Sequence, residues 1–177
     1  DVGNPDSYRT SLLEIASGMI KLPFEGTKVT LNEGVLYHGE NFKMAEGVEI
    51  TGLVVVGDNC SFGANAKISD CCMGNDCSVD ENTSISKSIL WNKVNIGVNC
   101  SITNAVFCDS VLVGSKVKCE YGVIIAEGTS IGNNVVFEKD IMAWPNKQVE
   151  EGSIVSSNLI WGDNCLLYTS DAADDMQ

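Results

Sequence analysis

From Val56 onward, apolar residues recur in steps of six, six and five, so the pattern repeats every seventeen residues. Three columns of large side chains result: Val56, Met73, Leu90, Phe107 and Ile124; Phe62, Val79, Ile96 and Val113; Ile68, Ile85, Ile102 and Cys119. A smaller residue stands four positions after each. These give Cys60, Cys77, Val94 and Val111; Ala66, Thr83, Cys100 and Val117; Cys72, Ile89, Val106 and Val123. No charge enters any of the six columns, whereas Asn, Asp and Gly crowd the positions between them. Those residue types tolerate the left-handed backbone conformations that tight corners demand.

A six-residue step is not a helical period, and segments rich in Gly, Asn, Ser and β-branched residues make poor helix interiors. Short strands joined by sharp corners account for it. Three sides of five or six residues close one triangular coil, and stacked coils bring like positions into ladders. One coil cannot bury its inner face alone, so the core exists only between neighbours. The fold expected is an all-β parallel β-helix whose core includes Val56, Phe62, Ile68, Met73, Val79, Ile85, Leu90, Ile96, Ile102, Phe107, Val113 and Cys119. Ahead of it, Pro5 to Ile20 reads as a short helix. Pro5 suits the first turn, and Leu12, Leu13, Ile15, Ala16, Met19 and Ile20 form an apolar stripe.

The columns change how the eight cysteines are read. A Cys-rich chain suggests disulfides or zinc, but there is no CxxC pair, and His38 is the one histidine. Cys60, Cys72, Cys77, Cys100 and Cys119 fall on inward columns and read as core filler; Cys71 and Cys108 fall outside them. Cys60 and Cys77, on adjacent coils, are near enough to cross-link under oxidation. Free thiols are expected in a reducing, cytoplasmic setting. The 177 residues carry a formal net charge of −13 with no basic block, which disfavours nucleic acid and anionic membranes. No apolar run approaches the roughly 20 residues of a spanning helix.

The units Val56-Gly57-Asp-Asn-Cys60-Ser, Phe62-Gly63-Ala-Asn-Ala66-Lys and Ile131-Gly132-Asn-Asn-Val135-Val resemble the hexapeptide repeat of left-handed parallel β-helix proteins. The left hand is implied by that resemblance. The opening Asp1-Val2-Gly3-Asn4-Pro5-Asp6-Ser7-Tyr8 resembles the signature closing the catalytic domain of sugar-1-phosphate nucleotidyltransferases, where a helix leads into a C-terminal β-helix. The far flank, from Ile141-Met-Ala-Trp144-Pro145 to Ile160-Trp161-Gly162, is similar to the β-helix end of mannose-1-phosphate guanylyltransferase-like proteins.

The resemblance divides the chain into residues 1–20, the end of a catalytic domain with its connecting helix, and residues 21–164, the β-helix. Residues 165–177 break from the repeat and resemble the translation of a sequencing adaptor, so they read as a non-native tail. The chemistry implied is attack of a sugar 1-phosphate, here mannose 1-phosphate, on the α-phosphate of GTP, giving GDP-mannose and pyrophosphate. Magnesium would bridge the phosphates, with Asp1 as a ligand in the intact parent. The remaining catalytic groups would lie upstream, leaving this piece inactive by itself. A homo-oligomer and a following phosphomannomutase-like domain are further implications.

Two other classes compete. A hexapeptide acyltransferase using acyl-CoA needs a general-base histidine between coils, for which His38 is the candidate. A non-catalytic oligomerisation module needs only a sticky face, and Trp91, standing where earlier coils have Gly57 and Gly74, is placed outward to supply one. Trp144 and Trp161 are expected to cover the last coil.

Overall fold

The computed structural model describes residues 26–160, together with Ser7, Thr10, Ser11 and Glu14, which are helical. The rest of the expected helix, Asp1 and the 165–177 tail lie outside the described residues.

The described strands, most of them two residues long, stack in parallel into three faces of a prism. On the first face His38 pairs with Val56, and the ladder continues through Met73, Leu90, Phe107, Ile125 and Ala143. On the second, Met44 begins a ladder through Phe62, Val79, Ile96, Val113, Ile131 and Val149. On the third, Ile50 leads through Ile68, Ile85, Ile102, Cys119 and Phe137 to Val155. Glu49–Val56 and Lys67–Met73 each run round the corner from the third face to the first. An antiparallel strand, Thr27–Thr30, pairs with Gly34–His38 and covers the free edge of the first face.

Two expectations need correction. Ile124 does not continue the column of Phe107; Val106 pairs with Ile124, and Phe107 pairs with Ile125. The coil there is eighteen residues long, as are the flanking ones from His38 to Val56 and from Ile125 to Ala143. Only the coils between Val56 and Phe107 have seventeen. Six residues per side is therefore the basic unit, and a seventeen-residue coil has lost one residue from the leg entering the first face.

That missing residue also misplaces the third column of small side chains. The inward residue lies two positions before the next large one, not four after the last. Cys71, Ser88 and Ala105 are completely buried there, whereas Cys72, Ile89 and Val106 take the alternate, outward sense of the strand. Val123 remains inward because its side kept all six residues.

From Asn59 to Gly152 each described corner uses one residue in the left-handed region, directly before the inward residue, whereas Gly52 precedes the buried Val54 by two. Asn59, Asn65, Asp70, Asp76, Asn82, Asn99 and Asn104 have φ between 49° and 58°. Lys87, Lys93 and Lys116 adopt the same conformation, at 49° to 58°, without the tolerance of Asn or Gly. The stacked coils hold them there, because each corner amide donates to the coil before it, as Lys87 N–H does to Ser69 O at 2.9 Å. Next to one corner runs a second ladder. Asp58, Asn75, Asn92 and Asp109 each accept, through Oδ1, a backbone N–H from the preceding coil at 2.7–2.9 Å.

Candidate functional site

The interior is occupied by side chains from Leu36 to Val155. All twelve large residues assigned to the core are buried, Phe107 completely and Val113 least, at 6 %. Phe42 and His38 sit near the beginning of the prism. Phe42 packs edge-on to Phe62, and the His38 ring stacks on Phe42 at 4.8 Å. His38 Nδ1 lies 2.8 Å from Gly39 O. That contact fixes the Nδ1 proton on the ring, because a carbonyl can only accept. The histidine is thus an end-of-column residue, one coil below Val56.

The thiols act as hydrogen-bond donors in the small columns. Thr83 Oγ1 donates to Gly97 O, fourteen residues on, at 2.7 Å. Cys60 makes the same bond to Gly74 O at 3.1 Å, Cys77 to Trp91 O at 2.8 Å and Cys100 to Gly114 O at 3.1 Å. Ser88 Oγ caps Ser86 O and accepts the Ala105 N–H at 3.0 Å. Cys and Thr thus add a donor at corner positions that Ala66, Val94, Val111 and Val117 fill without one. Cys71 belongs with this group, donating to Ser69 O at 3.0 Å.

Burial keeps Cys71, Cys72 and Cys119 protonated. It pushes Cys71 from 9.0 to about 12, drives Cys119 up further still, and raises Cys72 to about 11. Cys60 and Cys77 touch across adjacent coils. Their mutual contact lowers Cys60 below the ordinary thiol value, and the same contact, then burial, drives Cys77 upward. All seven described cysteines are free thiols. Because a thiol raised in the fold favours the protonated state, the stability it contributes is present below about pH 9 and is lost at higher pH. Accordingly, mass-mapped alkylation at pH 8 should modify half-buried Cys108 at least a hundredfold faster than Cys71 or Cys119. Equal rates in the native protein would contradict the inward placement of those two.

Outside the prism the three faces differ. The second face shows Ser61, Ser78, Asn95, Leu112, Ser130 and Gln148 outward, and the third shows Lys67, Ser84, Ser101, Lys118, Val136 and Ile154. The first shows Val55, Cys72, Ile89, Val106, Ile124 and Met142, an unbroken apolar row. Trp91 stands beside this row, and Trp144 three coils later, about 40 % exposed each. Trp144 thus flanks the outer wall instead of closing the last coil; Trp161 lies outside the described residues. A depression of about 300 Å³ lies next to Trp91, over Gly74 and between Cys72 and Ile89. Sequence reasoning missed this row because it had assigned Cys72, Ile89 and Val106 to the interior.

The described residues bring no three His, Cys, Asp or Glu side chains together. Asp1, which the resemblance assigns to magnesium, lies outside the described residues. Among the described residues no helix is long and apolar enough to cross a membrane.

Triangular coils, left-handed corners and inward ladders define a hexapeptide-type β-helix. The family description "EIF2B subunit epsilon LbH domain" matches residues 33–137. The chain belongs to that family of left-handed β-helix domains. No curated protein matches it. Among solved structures it is similar to a UDP-N-acetylglucosamine acyltransferase, at 15 % identity and a TM-score of 0.38, over 72 % of this chain and 66 % of that one. It is also similar to the acetyltransferase domain of PglB from Neisseria gonorrhoeae, at 14 % identity and a TM-score of 0.32, over 86 % and 63 %. The chain thus spans slightly less than two thirds of the length of each.

Proposed function

We propose that this β-helix is the C-terminal domain of a nucleotidyltransferase that makes nucleotide sugars, GDP-mannose from GTP and mannose 1-phosphate being the favoured case. The observation that carries the reading is the family match over residues 33–137, to a domain of a nucleotidyltransferase-like subunit. The opening Asp1-Val2-Gly3-Asn4-Pro5-Asp6-Ser7-Tyr8, which resembles the close of a catalytic domain, supports it from the other side. In this reading the β-helix serves assembly and regulation, while nucleotide and sugar phosphate are handled by residues preceding Asp1, and magnesium by those residues together with Asp1. Its solid interior suits a rigid spacer, since side chains fill the prism over its whole length.

The competing acyltransferase reading has His38 as its base. The ring there lies against Phe42, at the start of the coil stack rather than along a wall between coils. The two readings separate in one pair of assays. The purified chain should release no pyrophosphate from GTP and mannose 1-phosphate and no free thiol from acetyl-CoA. Turnover of the nucleotide would place the catalytic groups within this sequence and overturn the division of labour. Release of coenzyme A that is lost in His38→Ala would establish the acyltransferase. The parent gene should encode a Gly-rich phosphate-binding segment ahead of Asp1, and a start codon within a few residues of Asp1 would refute the proposal.

A further inference from the structure

At the corner between the first and second faces, the small inward column carries cysteine on two successive coils, Cys60 and Cys77. The other buried thiols have different neighbours in their columns. Cys71 is paired with Val54, Cys100 stands over Thr83, and Cys119 lies between Ile102 and Phe137. Cys60 and Cys77 are held in register on both sides, by the pairs Val56–Met73 and Phe62–Val79. Ser61 N–H donates to Cys77 O at 3.0 Å. The two residues are therefore one strand spacing apart, about 4.8 Å, inside the roughly 4.4–6.8 Å between Cα atoms that a disulfide spans. Their side chains already touch.

We propose that Cys60 and Cys77 are an oxidant-sensitive pair, which a small hydroperoxide converts into a disulfide tying two neighbouring coils. Cys60 is the sulfur attacked first. The thiolate is the nucleophile, and the contact with Cys77 lowers Cys60 more than burial raises it, whereas Cys77 is driven upward. With hydrogen peroxide, the Cys60 thiolate takes the terminal oxygen and the O–O bond breaks. Hydroxide leaves and, with the proton given up by Cys60, becomes the first water. Cys77 then loses its proton and attacks the Cys60 sulfenic acid. The S–S bond forms, the S–O bond breaks, and a second water departs. Two thiols are oxidised and one peroxide is reduced. Each residue is 1 % exposed, so a peroxide reaches the pair where a peptide disulfide does not. Oxidation also removes the thiol hydrogens that Cys60 gives to Gly74 O and Cys77 gives to Trp91 O. Gly74 and Trp91 both line the depression on the first face, so the link alters the corner beside it.

The inference is independent of the nucleotidyltransferase reading. Mass mapping of the full chain tests it, after exposure of the folded protein to hydrogen peroxide and alkylation of the remaining thiols in denaturant. The linked Cys60–Cys77 peptides should rise about tenfold or more over the untreated protein, with Cys71 and Cys119 still alkylated. Their yield should not depend on protein concentration, and dithiothreitol should abolish it. Glutathione disulfide at the same concentration should leave the pair reduced. In Cys77→Ser, dimedone should capture a sulfenic acid on Cys60; in Cys60→Ser, dimedone labelling of Cys77 should be about tenfold lower. Serine retains a small donor in the column, as Thr83 does at the next corner, and thermal melting checks that both variants fold. Cys60 and Cys77 still unlinked once half-buried Cys108 is fully oxidised would overturn the proposal. So would a link between any other pair, a yield that grows with protein concentration, equal linking by glutathione disulfide, or dimedone on Cys77 in preference to Cys60.

Discussion

Ile85→Asp is expected to abolish cooperative unfolding of the prism at pH 7 or to lower its stability by about 4 kcal/mol or more. Ile85 is 1 % exposed and stacks between Ile68 and Ile102 in the third-face ladder. A carboxylate there has no cation within the wall and loses its hydration, a cost far above that of a missing methyl group. The acid would stay protonated in the fold, so its pKa is raised. The extra destabilisation is then absent below the unfolded value of about 4 and grows as pH rises through it. Thermal melts at pH 4 and pH 7 check this; a variant that melts like the unmodified protein at both would place Ile85 outside the core.

Phe107→Ala should be the next largest loss, about 3–5 kcal/mol. Phe107 is completely buried between Leu90 and Ile125, at the level where coils lengthen from seventeen residues to eighteen. Stacked rings of backbone on either side cannot collapse into the vacated volume. The comparison variant is Leu112→Ala, five residues on but outward and half exposed, which should cost well under 1 kcal/mol. Urea denaturation midpoints at constant slope measure both, and similar losses would contradict the inward–outward alternation.

The large ladders were legible in the sequence because a closed triangle admits one big apolar side chain per side. That requirement writes itself as a spacing of six. The small columns were legible only in part. Asp70 before Cys71 and Asn104 before Ala105 mark the left-handed corner, and from Asn59 onward the buried residue follows that corner directly. Counting forward from Ile68 instead of back from Met73 put Cys72 inside. Lys87 hides the same corner before Ser88, since a lysine gives no hint of positive φ. The lengthening at Ile125 had a comparable signal: Gly122 precedes Val123, and two positions beyond the small residue comes the large one, Ile125. Two adjacent isoleucines concealed it, because periodicity alone accepts either. The apolar exterior row was invisible for the same reason, being formed by the residues that the misplaced column had drawn inward. Counting back in sixes from Val56 through Ile50 and Met44 reaches His38 on the first-face ladder, but a period of seventeen counted forward from Val56 leaves that first eighteen-residue coil out.

The ladder register is the foundation of the whole account, and a crystallographic map of the Leu90–Ile125 region tests it most directly. The account requires Phe107 inside the prism, flanked by Leu90 and Ile125, with Val106 and Ile124 paired on the outer wall. Density that set Phe107 against Ile124, or placed Val56, Met73 and Leu90 on separate surfaces, would contradict it.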